Sequence, residues 1–245
     1  MAKRKLKIIK LETVDSTNTY LKTLAEKGER EGCVVVARRQ TSGRGRHGRS
    51  FFSPADTGLY MSVLLRPEAS VKESLFITSM TAVATASAIE TVSNKKCGIK
   101  WVNDIFVEGK KVAGILCEGS FDHDADKVNY VIVGIGVNLC QPKEDFPQEL
   151  REIATSLGDE GIRDALLEQI LNRLFALYDE LPSHDFLTEY KERSVLLGER
   201  VKVLGNEGVE GVAIDIDEEC RLILKADSGE TVPLSSGEVS VRLTQ

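Results

Sequence analysis

The sequence predicts an α+β domain followed by a small β-barrel of about fifty residues. Up to residue 195, apolar side chains recur with strand periodicity in some segments and with helical periodicity in others. From residue 196 onward, short strand-like runs alternate with turn residues. We therefore place a first domain at 1–195 and a second domain at 196–245.

The larger domain opens with a strand and a helix. Residues 6–14 alternate loosely between apolar and polar side chains, as in a half-buried strand. Residues 15–18, Asp-Ser-Thr-Asn, provide N-cap side chains, and the helical pattern that follows ends near Gly28. The remaining pattern predicts strands at 33–38, 59–66, 105–107, 112–116 and 130–137, and helices at 72–92, 162–181 and 185–193.

The smaller domain consists of strands alone. Short apolar runs, separated by turn residues, are typical of a small barrel. The predicted strands lie at 201–204, 208–214, 222–225, 231–234 and 239–243.

Composition and charge exclude several classes of protein. The chain of 245 residues has a formal net charge of −6, which argues against a general nucleic-acid coat or a binder of anionic membranes. No apolar run approaches the roughly 18–20 residues of a membrane span, and no signal-peptide core follows the basic first residues. The five cysteines are dispersed without C-x-x-C spacing, which is typical of reduced intracellular thiols. We expect a cytoplasmic protein with no nucleic-acid or membrane partner.

One loop, residues 40–49, concentrates glycine and arginine in this acidic chain. Its sequence is Gln-Thr-Ser-Gly-Arg-Gly-Arg-His-Gly-Arg. The glycines let the backbone turn tightly and approach a ligand, and the arginines are planar cationic donors for carboxylate or phosphate. The pattern indicates a loop that wraps a small anion.

Two known glycine motifs do not fit this loop. The dinucleotide fingerprint G-x-G-x-x-G needs a helix directly after it, but residues 50–54, Ser-Phe-Phe-Ser-Pro, predict a loop. The P-loop needs Gly-Lys-Ser/Thr, and here Arg49 follows Gly48. Taken alone, the loop is equally compatible with a solvated or nucleic-acid-binding patch.

Three further segments place polar residues at strand ends, where sites are usually built. Residues 100–104 are Lys-Trp-Val-Asn-Asp, residues 110–115 begin with two lysines, and residues 134–138 are Gly-Ile-Gly-Val-Asn. Singly, each is better explained by structure, as a core tryptophan, a solvated hairpin end and a turn-forming asparagine. Together with the arginine loop, they indicate one site.

These motifs resemble those of the biotin protein ligases, in that family's order and spacing, over nearly the whole chain. The resemblance implies a catalytic domain with a mixed β-sheet packed by helices, similar to the class II synthetases, and an SH3-like C-terminal domain. The matching motifs are Asp-Ser-Thr-Asn (15–18), Gln-x-x-Gly-Arg-Gly-Arg-x-Gly-Arg (40–49), Lys-Trp-x-Asn-Asp (100–104), Lys-x-Ala-Gly-Ile-Leu (111–116), Gly-x-Gly-Val-Asn (134–138) and Gly-Glu-Val-Ser-Val-Arg (237–242).

The resemblance implies a two-step reaction with biotin, ATP and Mg²⁺. Biotin and ATP give biotinyl-5′-AMP and pyrophosphate, and a lysine of a biotin carboxyl carrier domain then attacks this anhydride and releases AMP. Since two anions must meet, the site needs cationic, preorganised donors. A homodimer is expected by resemblance only.

The resemblance also implies residue roles, with Lys111 and Arg46 as the catalytic pair. The implied biotin-binding residues are Ser16, Thr17, Asn18, Gln40, Gly43, Arg44, Gly45, Arg46, Lys111 and Gly114. The implied ATP and adenylate contacts are Arg44, Arg46, Trp101, Asn103, Asp104, Lys111 and Asn138, with Asp104 also positioning Mg²⁺.

The chain departs from the family pattern at two site positions. Val102 replaces a proline, and His47 replaces a second basic residue. The segment before Ser16 is too short for a helix-turn-helix domain, so we expect a ligase without operator binding.

Two alternatives remain. A lipoate or octanoate ligase or transferase shares the fold, but the polar run at 16–18 favours biotin over an aliphatic chain. A biotin-sensing or nucleic-acid-binding regulator belongs to another class, which the net charge opposes.

Overall fold

The computed structural model describes residues 4–122, 124–204, 209–235 and 237–241. The predicted strand ends at 208 and 243, and Arg242 of the last motif, lie outside the described residues. The described chain forms a mixed seven-stranded sheet with helices packed on it, and a second, five-stranded antiparallel sheet. The predicted α+β class is confirmed.

The larger sheet has the strand order β1-β2-β3-β7-β6-β5-β4. β1 and β2 run parallel, and every other neighbouring pair is antiparallel, which makes the sheet mixed. Its strands are β1 (Lys7–Val14), β2 (Cys33–Gln40), β3 (Gly58–Leu65), β4 (Gly98–Lys100), β5 (Asp104–Val107), β6 (Lys110–Asp122) and β7 (Lys127–Asn138).

The helices and this sheet bury their apolar side chains in two separate clusters. The first helix buries Leu21 and Ala25 against β2, β3 and β7, and the longer helices form the other, larger cluster. The helices are α1 (Thr17–Glu26), α2 (Val71–Ser74), α3 (Phe76–Ser93), α4 (Arg163–Asp179) and α5 (Phe186–Glu192).

The central helix α3 is apolar on nearly every side because it is surrounded by protein. It contacts α4, α5 and strands β4, β5 and β6. Contrary to the expectation from the sequence, residues 71–93 are long and apolar enough to cross a membrane, but 67% of that apolar window is buried inside the fold. A helix enclosed in this way stabilises the domain by removing apolar surface from water.

Several element boundaries shift by up to three residues from the sequence-based prediction, and two elements differ more strongly. The single helix predicted over 72–92 is divided into α2 and α3 at Leu75, whose N–H bonds to Lys72 O at 3.2 Å and tightens the turn. α2 begins with a capping box between Ser70 and Glu73. The strand predicted over 112–116 extends across 110–122, because its pairing with β7 continues past a register shift at Ser120.

The second sheet has the order β11-β10-β9-β8-β12, so β11 and β12 form the two edges of its described part. It is joined to the larger domain by the Trp101 Nε1–H, which donates to Cys220 O at 2.9 Å, and by the Lys191–Asp215 ion pair at 3.0 Å. Its strands are β8 (Arg200–Leu204), β9 (Glu210–Ile216), β10 (Leu222–Ala226), β11 (Thr231–Leu234) and β12 (Glu238–Val241).

Candidate functional site

One cleft of about 390 Å³ brings most of the predicted site residues together. Its volume lies within the roughly 300–1,000 Å³ of typical small-molecule sites. Residues from α1, the arginine loop, the β4–β5 turn and β6 meet there, although the sequence separates them widely. The predicted residues that line it are Ser16, Thr17, Asn18, Gln40, Arg44, Gly45, Arg46, Trp101, Asn103, Asp104, Lys111 and Gly114.

The polar end of the cleft is built by the first turn of α1 and the end of β2. Gln40 Oε1 accepts hydrogen bonds from the Thr17 N–H at 2.9 Å and from Thr17 Oγ1 at 3.1 Å. Ser16 is the N-cap residue, but its side chain makes no capping hydrogen bond. The Ser16 hydroxyl, which is 2% exposed as a residue, is therefore available to a ligand head group.

Asn18 is held by protein partners on both ends of its amide. Its Nδ2 donates to Leu116 O at 3.2 Å and to Glu118 Oε2 at 2.9 Å, and its Oδ1 accepts from buried Ser62 Oγ at 2.6 Å. Both amide protons are used, so a remaining lone pair on Oδ1 is what Asn18 can offer to a ligand.

Three glycines form the floor of the cleft. A Cβ at Gly134 would lie 2.2 Å from Asn18 Oδ1, and a Cβ at Gly136 would lie 2.6 Å from the Phe51 ring. A Cβ at Gly114 would lie 3.2 Å from Lys111 Nζ. Because these positions carry no side chain, polar groups and a ligand can approach the strands closely.

The arginine loop folds as a small hairpin across the mouth of the cleft. The Phe51 N–H donates to Gly43 O at 2.9 Å, and the Gly45 N–H donates to Arg49 O at 2.7 Å. At the tip, His47 has φ +54°, in the left-handed region. The residue that departs from the family pattern therefore lies in a tight turn. The prediction of a loop, without a helix directly after it, agrees with this geometry.

Each of three cations that line the cleft has a protein partner. Arg44 forms an ion pair with Glu118 at 2.9 Å, Arg46 Nη1 donates to Asn103 Oδ1 at 3.1 Å, and Lys111 Nζ lies 2.6 Å from Asp104 Oδ1. These partners fix the positive charges in the cleft before a ligand arrives, which is the preorganisation that anion binding needs.

Lys111 is also fixed through its backbone. Its N–H donates to Ile153 O at 2.9 Å, and its C=O accepts from the Thr155 N–H at 2.8 Å. The segment before Ala154 adds Leu150, Glu152 and Ile153 to the lining of the cleft. This segment carries no recognisable signal in the sequence, because it has neither strand nor helix periodicity.

Three predicted residues have structural positions that the motifs did not indicate. Trp101 lines the cleft, but it is 4% exposed and its indole donates to Cys220 O in the turn between β9 and β10. Asn138 does not line the cleft, and its Nδ2 donates to Thr155 O at 3.0 Å. Gly43 is buried and does not line the cleft, and a Cβ at this position would lie 2.3 Å from Phe51 O. The role of Asn138 toward a nucleotide remains a prediction.

A magnesium ion fits the cleft only together with a phosphate ligand. Among the described residues no group of three or more His, Cys, Asp or Glu side chains converges as a metal site. The acids that line the cleft are Asp104 and Glu152. Mg²⁺ is commonly held by one or two carboxylates with substrate phosphates and water, and Asp104 could supply such a carboxylate.

The thiols near the cleft are not activated nucleophiles. Cys117 and Cys220 line a neighbouring cavity of about 260 Å³ between β6 and the second sheet. Burial raises the pKa of Cys220 to about 11 and the pKa of Cys117 to about 12. Both are protonated near neutral pH, which agrees with chemistry in which the substrates supply their own nucleophiles.

The cleft combines a polar end with a cationic loop, which is the arrangement expected of an enzyme that acts on a small anionic substrate. Residues 11–138 match the sequence model of the biotin/lipoate A/B protein ligase family, and residues 196–242 match that of the biotin protein ligase C-terminal domain. The chain belongs to the biotin/lipoate A/B protein ligase family. The resemblance found in the sequence is thereby confirmed.

Relatives share most of their length with this chain. It is 36% identical to the bifunctional ligase/repressor BirA of Bacillus spizizenii, over 91% of this chain and 70% of that protein. It is 32% identical to the biotin–[acetyl-CoA-carboxylase] ligase of Mycobacterium tuberculosis, over 91% of this chain and 85% of that protein.

A solved structure matches over almost the whole fold. The biotin protein ligase of Aquifex aeolicus, in complex with biotin and ATP, superposes with a TM-score of 0.80. The two are 30% identical, and the match covers 97% of this chain and 99% of that one.

Proposed function

We propose that this protein is a biotin–carrier ligase, which uses ATP to attach biotin to one lysine of a carrier domain through biotinyl-5′-AMP. The observation that carries the proposal is the cleft itself. It places Lys111, Arg44 and Arg46 beside a polar end made by Ser16 and Thr17. The names of the similar proteins point to the same chemistry.

In the first half-reaction, a carboxylate oxygen of biotin attacks the α-phosphorus of ATP and pyrophosphate leaves. The two anions repel each other, so Lys111 must lie against both the carboxylate and an α-phosphate oxygen. Its Nζ is already directed over the Gly114 floor. A fixed ammonium group there lowers the energy of the charge that develops on the phosphate.

In the second half-reaction, the ε-amine of the acceptor lysine attacks the carbonyl carbon of the anhydride. An amide bond forms, AMP leaves, and the amine loses a proton. Arg46 lies in the loop over the cleft, and its guanidinium retains the negatively charged adenylate until the acceptor arrives. Mg²⁺ bound with the phosphates would neutralise part of their charge, with Asp104 as its protein ligand.

The remaining site assignments follow from position in the cleft. Ser16, Thr17 and Gln40 bind the polar ring system of biotin, with Asn18 beside them. Asn103 positions the nucleotide through its contact with Arg46. Asn138 contacts the nucleotide from the end of β7, a role supported by the motif at 134–138 rather than by the lining of the cleft.

The wider setting is also part of the proposal. The acceptor is a biotin carboxyl carrier domain of a carboxylase, and the protein acts in the cytoplasm, where its five free cysteines would stay reduced. We assign residues 1–195 to catalysis and 196–245 to the C-terminal domain, and expect a homodimer.

The direct test combines the protein with ATP, Mg²⁺, labelled biotin and a carrier domain, followed by mass spectrometry of the acceptor. The expected result is one biotinylated lysine that requires ATP. Reactions without ATP are the control. A carrier that stays unmodified under all conditions, with no pyrophosphate released, contradicts the proposal.

Separate titrations with two ligands distinguish a biotin ligase from a lipoate ligase. Isothermal titration with biotin and with lipoate should give binding to biotin alone, because the head-group end of the cleft presents hydroxyl and amide groups. Lipoate binding without a response to biotin supports the lipoate alternative instead.

A further inference from the structure

Glu118 joins two parts of the site that are far apart in the chain. Its Oε2 accepts hydrogen bonds from Asn18 Nδ2 at 2.9 Å and from Arg44 Nη1 at 3.1 Å. Its Oε1 lies 2.9 Å from Arg44 Nη2. One carboxylate on β6 therefore holds both the polar end of the cleft and the arginine loop.

The contact with Arg44 is bidentate. Two parallel N–H to O contacts between a guanidinium and a carboxylate are stronger and more directional than a single ion pair. The Glu118 side chain is 29% exposed and that of Arg44 is 47% exposed, so water screens the pair in part. Such a contact can close a loop and still open during turnover.

The position of Glu118 is set by the sheet register. Glu118 pairs with Ile132, two residues along β6 from the Leu116–Gly134 pair. Because side chains alternate along a strand, Glu118 is on the same face as Gly134, over which Asn18 lies. Glu118 does not itself line the cleft, whereas Asn18 and Arg44 do.

We propose that Glu118 is a positioning residue that latches the arginine loop shut over the cleft. The expected consequence is slower loss of biotinyl-5′-AMP between the two half-reactions. This consequence rests on the proposed ligase function. Glu118 does not line the cleft, so its effect on the substrates passes through Arg44 and Asn18. Binding of the head group and closure of the loop are thereby linked through one carboxylate.

The first test replaces Glu118 by Gln, which keeps the shape and an acceptor oxygen but removes the charge. Release of biotinyl-5′-AMP after a single turnover should become about five- to tenfold faster, since an ionic latch of this exposure contributes on the order of 1 kcal/mol. The KM for biotin should rise while kcat for adenylation changes little, because Lys111 and Arg46 remain.

The matched control is Glu189→Gln on α5. Glu189 is also a clamped carboxylate, 27% exposed, with Arg193 bonded at 2.9 Å and Arg173 at 2.7 Å, and it does not line the cleft. This variant should lose stability without faster release of the adenylate. If it releases the adenylate as fast as Glu118→Gln, a general loss of stability explains both, and the latch is wrong.

A double-mutant cycle with Arg44→Met tests whether Glu118 acts through Arg44. The two single changes should be strongly non-additive, so that Glu118→Gln adds little to release once Arg44 is gone. Additive effects contradict the latch, because they would place the two residues in independent roles.

Hydrogen exchange of the free protein separates this inference from the proposed function. Amides at 44–51 should exchange faster in Glu118→Gln than in the parent protein, and unchanged exchange there contradicts the latch whatever the substrate is. If the parent protein makes no adenylate from biotin and ATP, the ligase function fails, but the exchange result still decides the latch.

Discussion

The face of the larger sheet that lies beneath α1 is packed at one end and open at the other. Toward one end it is closed, with Leu21, Val35, Leu64 and Ile132 fully buried. Two residues further along, the face carries Ser62 opposite Gly134, and two residues beyond that it carries Gly136 opposite Gly114. The closed half stabilises the domain, and the open half is the floor of the cleft.

The difference shows how a binding site can be made within a packed sheet. Leu64 pairs with Ile132, and Ser62 pairs with Gly134, without any break in the strands. Removing side chains at every second position leaves room above the sheet while the backbone hydrogen bonds continue. Function and stability should therefore be separable by substitution on one face.

The largest expected effect is the loss of the cation over the open half. Lys111→Ala should lower the rate of adenylation by about 1,000-fold, since one preorganised donor to a developing charge is worth about 10²–10³-fold. Pyrophosphate release under saturating biotin and ATP measures this rate.

Lys110→Ala is the matched control, because Lys110 precedes Lys111 but does not line the cleft. Its partner is Glu152, at 3.7 Å. It should keep nearly the parent rate. Normal pyrophosphate release by Lys111→Ala would contradict the catalytic assignment.

In the closed half, Leu64→Ala should reduce the free energy of unfolding by about 3 kcal/mol, as expected for a fully buried leucine. Urea denaturation followed by circular dichroism measures the change. The kcat/KM of the folded fraction should stay within about twofold of the parent protein. A large loss of activity at full folding would show that the two halves are not separable.

In the open half, Gly134→Ala should weaken biotin binding by about 30-fold, the equivalent of roughly 2 kcal/mol for a displaced charged hydrogen bond. The new Cβ would collide with Asn18 and separate it from Glu118. Isothermal titration measures the affinity.

Gly161→Ala serves as the glycine control, because its Cβ would meet only the Asp159 side chain, at 3.2 Å. Unchanged biotin affinity in Gly134→Ala would mean that biotin binding does not require a glycine at this position.

The smallest of these effects is expected at the mouth of the cleft. Arg46→Gly should leave adenylation partly intact but speed release of biotinyl-5′-AMP about tenfold, the loss of roughly 1.4 kcal/mol of retention. Release can be followed by rapid filtration after a single turnover. An unchanged release rate would remove Arg46 from the retention role.

Much of the fold and the site could be predicted from the sequence, because periodicity and motif order are local properties. The strand over 59–66, the helix over 185–193 and the arginine loop are examples. The grouping of Ser16, Arg46 and Lys111 in one cleft followed from the motif set.

Other site features depend on register and on distant partners, which one sequence does not contain. Glu118 is an ordinary strand acid until pairing with β7 places it beside Asn18. The contact of Trp101 with a nucleotide stays a prediction, and the motif did not indicate that its indole donates to Cys220 O, more than a hundred residues away. Ser62 carried a usable signal, since it is a polar residue inside an otherwise apolar strand.

We expect the open half of this sheet face to hold both substrates. A crystal structure of the protein with biotin and a non-hydrolysable ATP analogue would show where both molecules bind. The biotin rings should lie against Ser16 and Thr17, and the biotin carboxylate and the α-phosphate should both lie within hydrogen-bonding distance of Lys111 Nζ. An empty cleft, with both molecules bound elsewhere on the protein, would contradict this expectation.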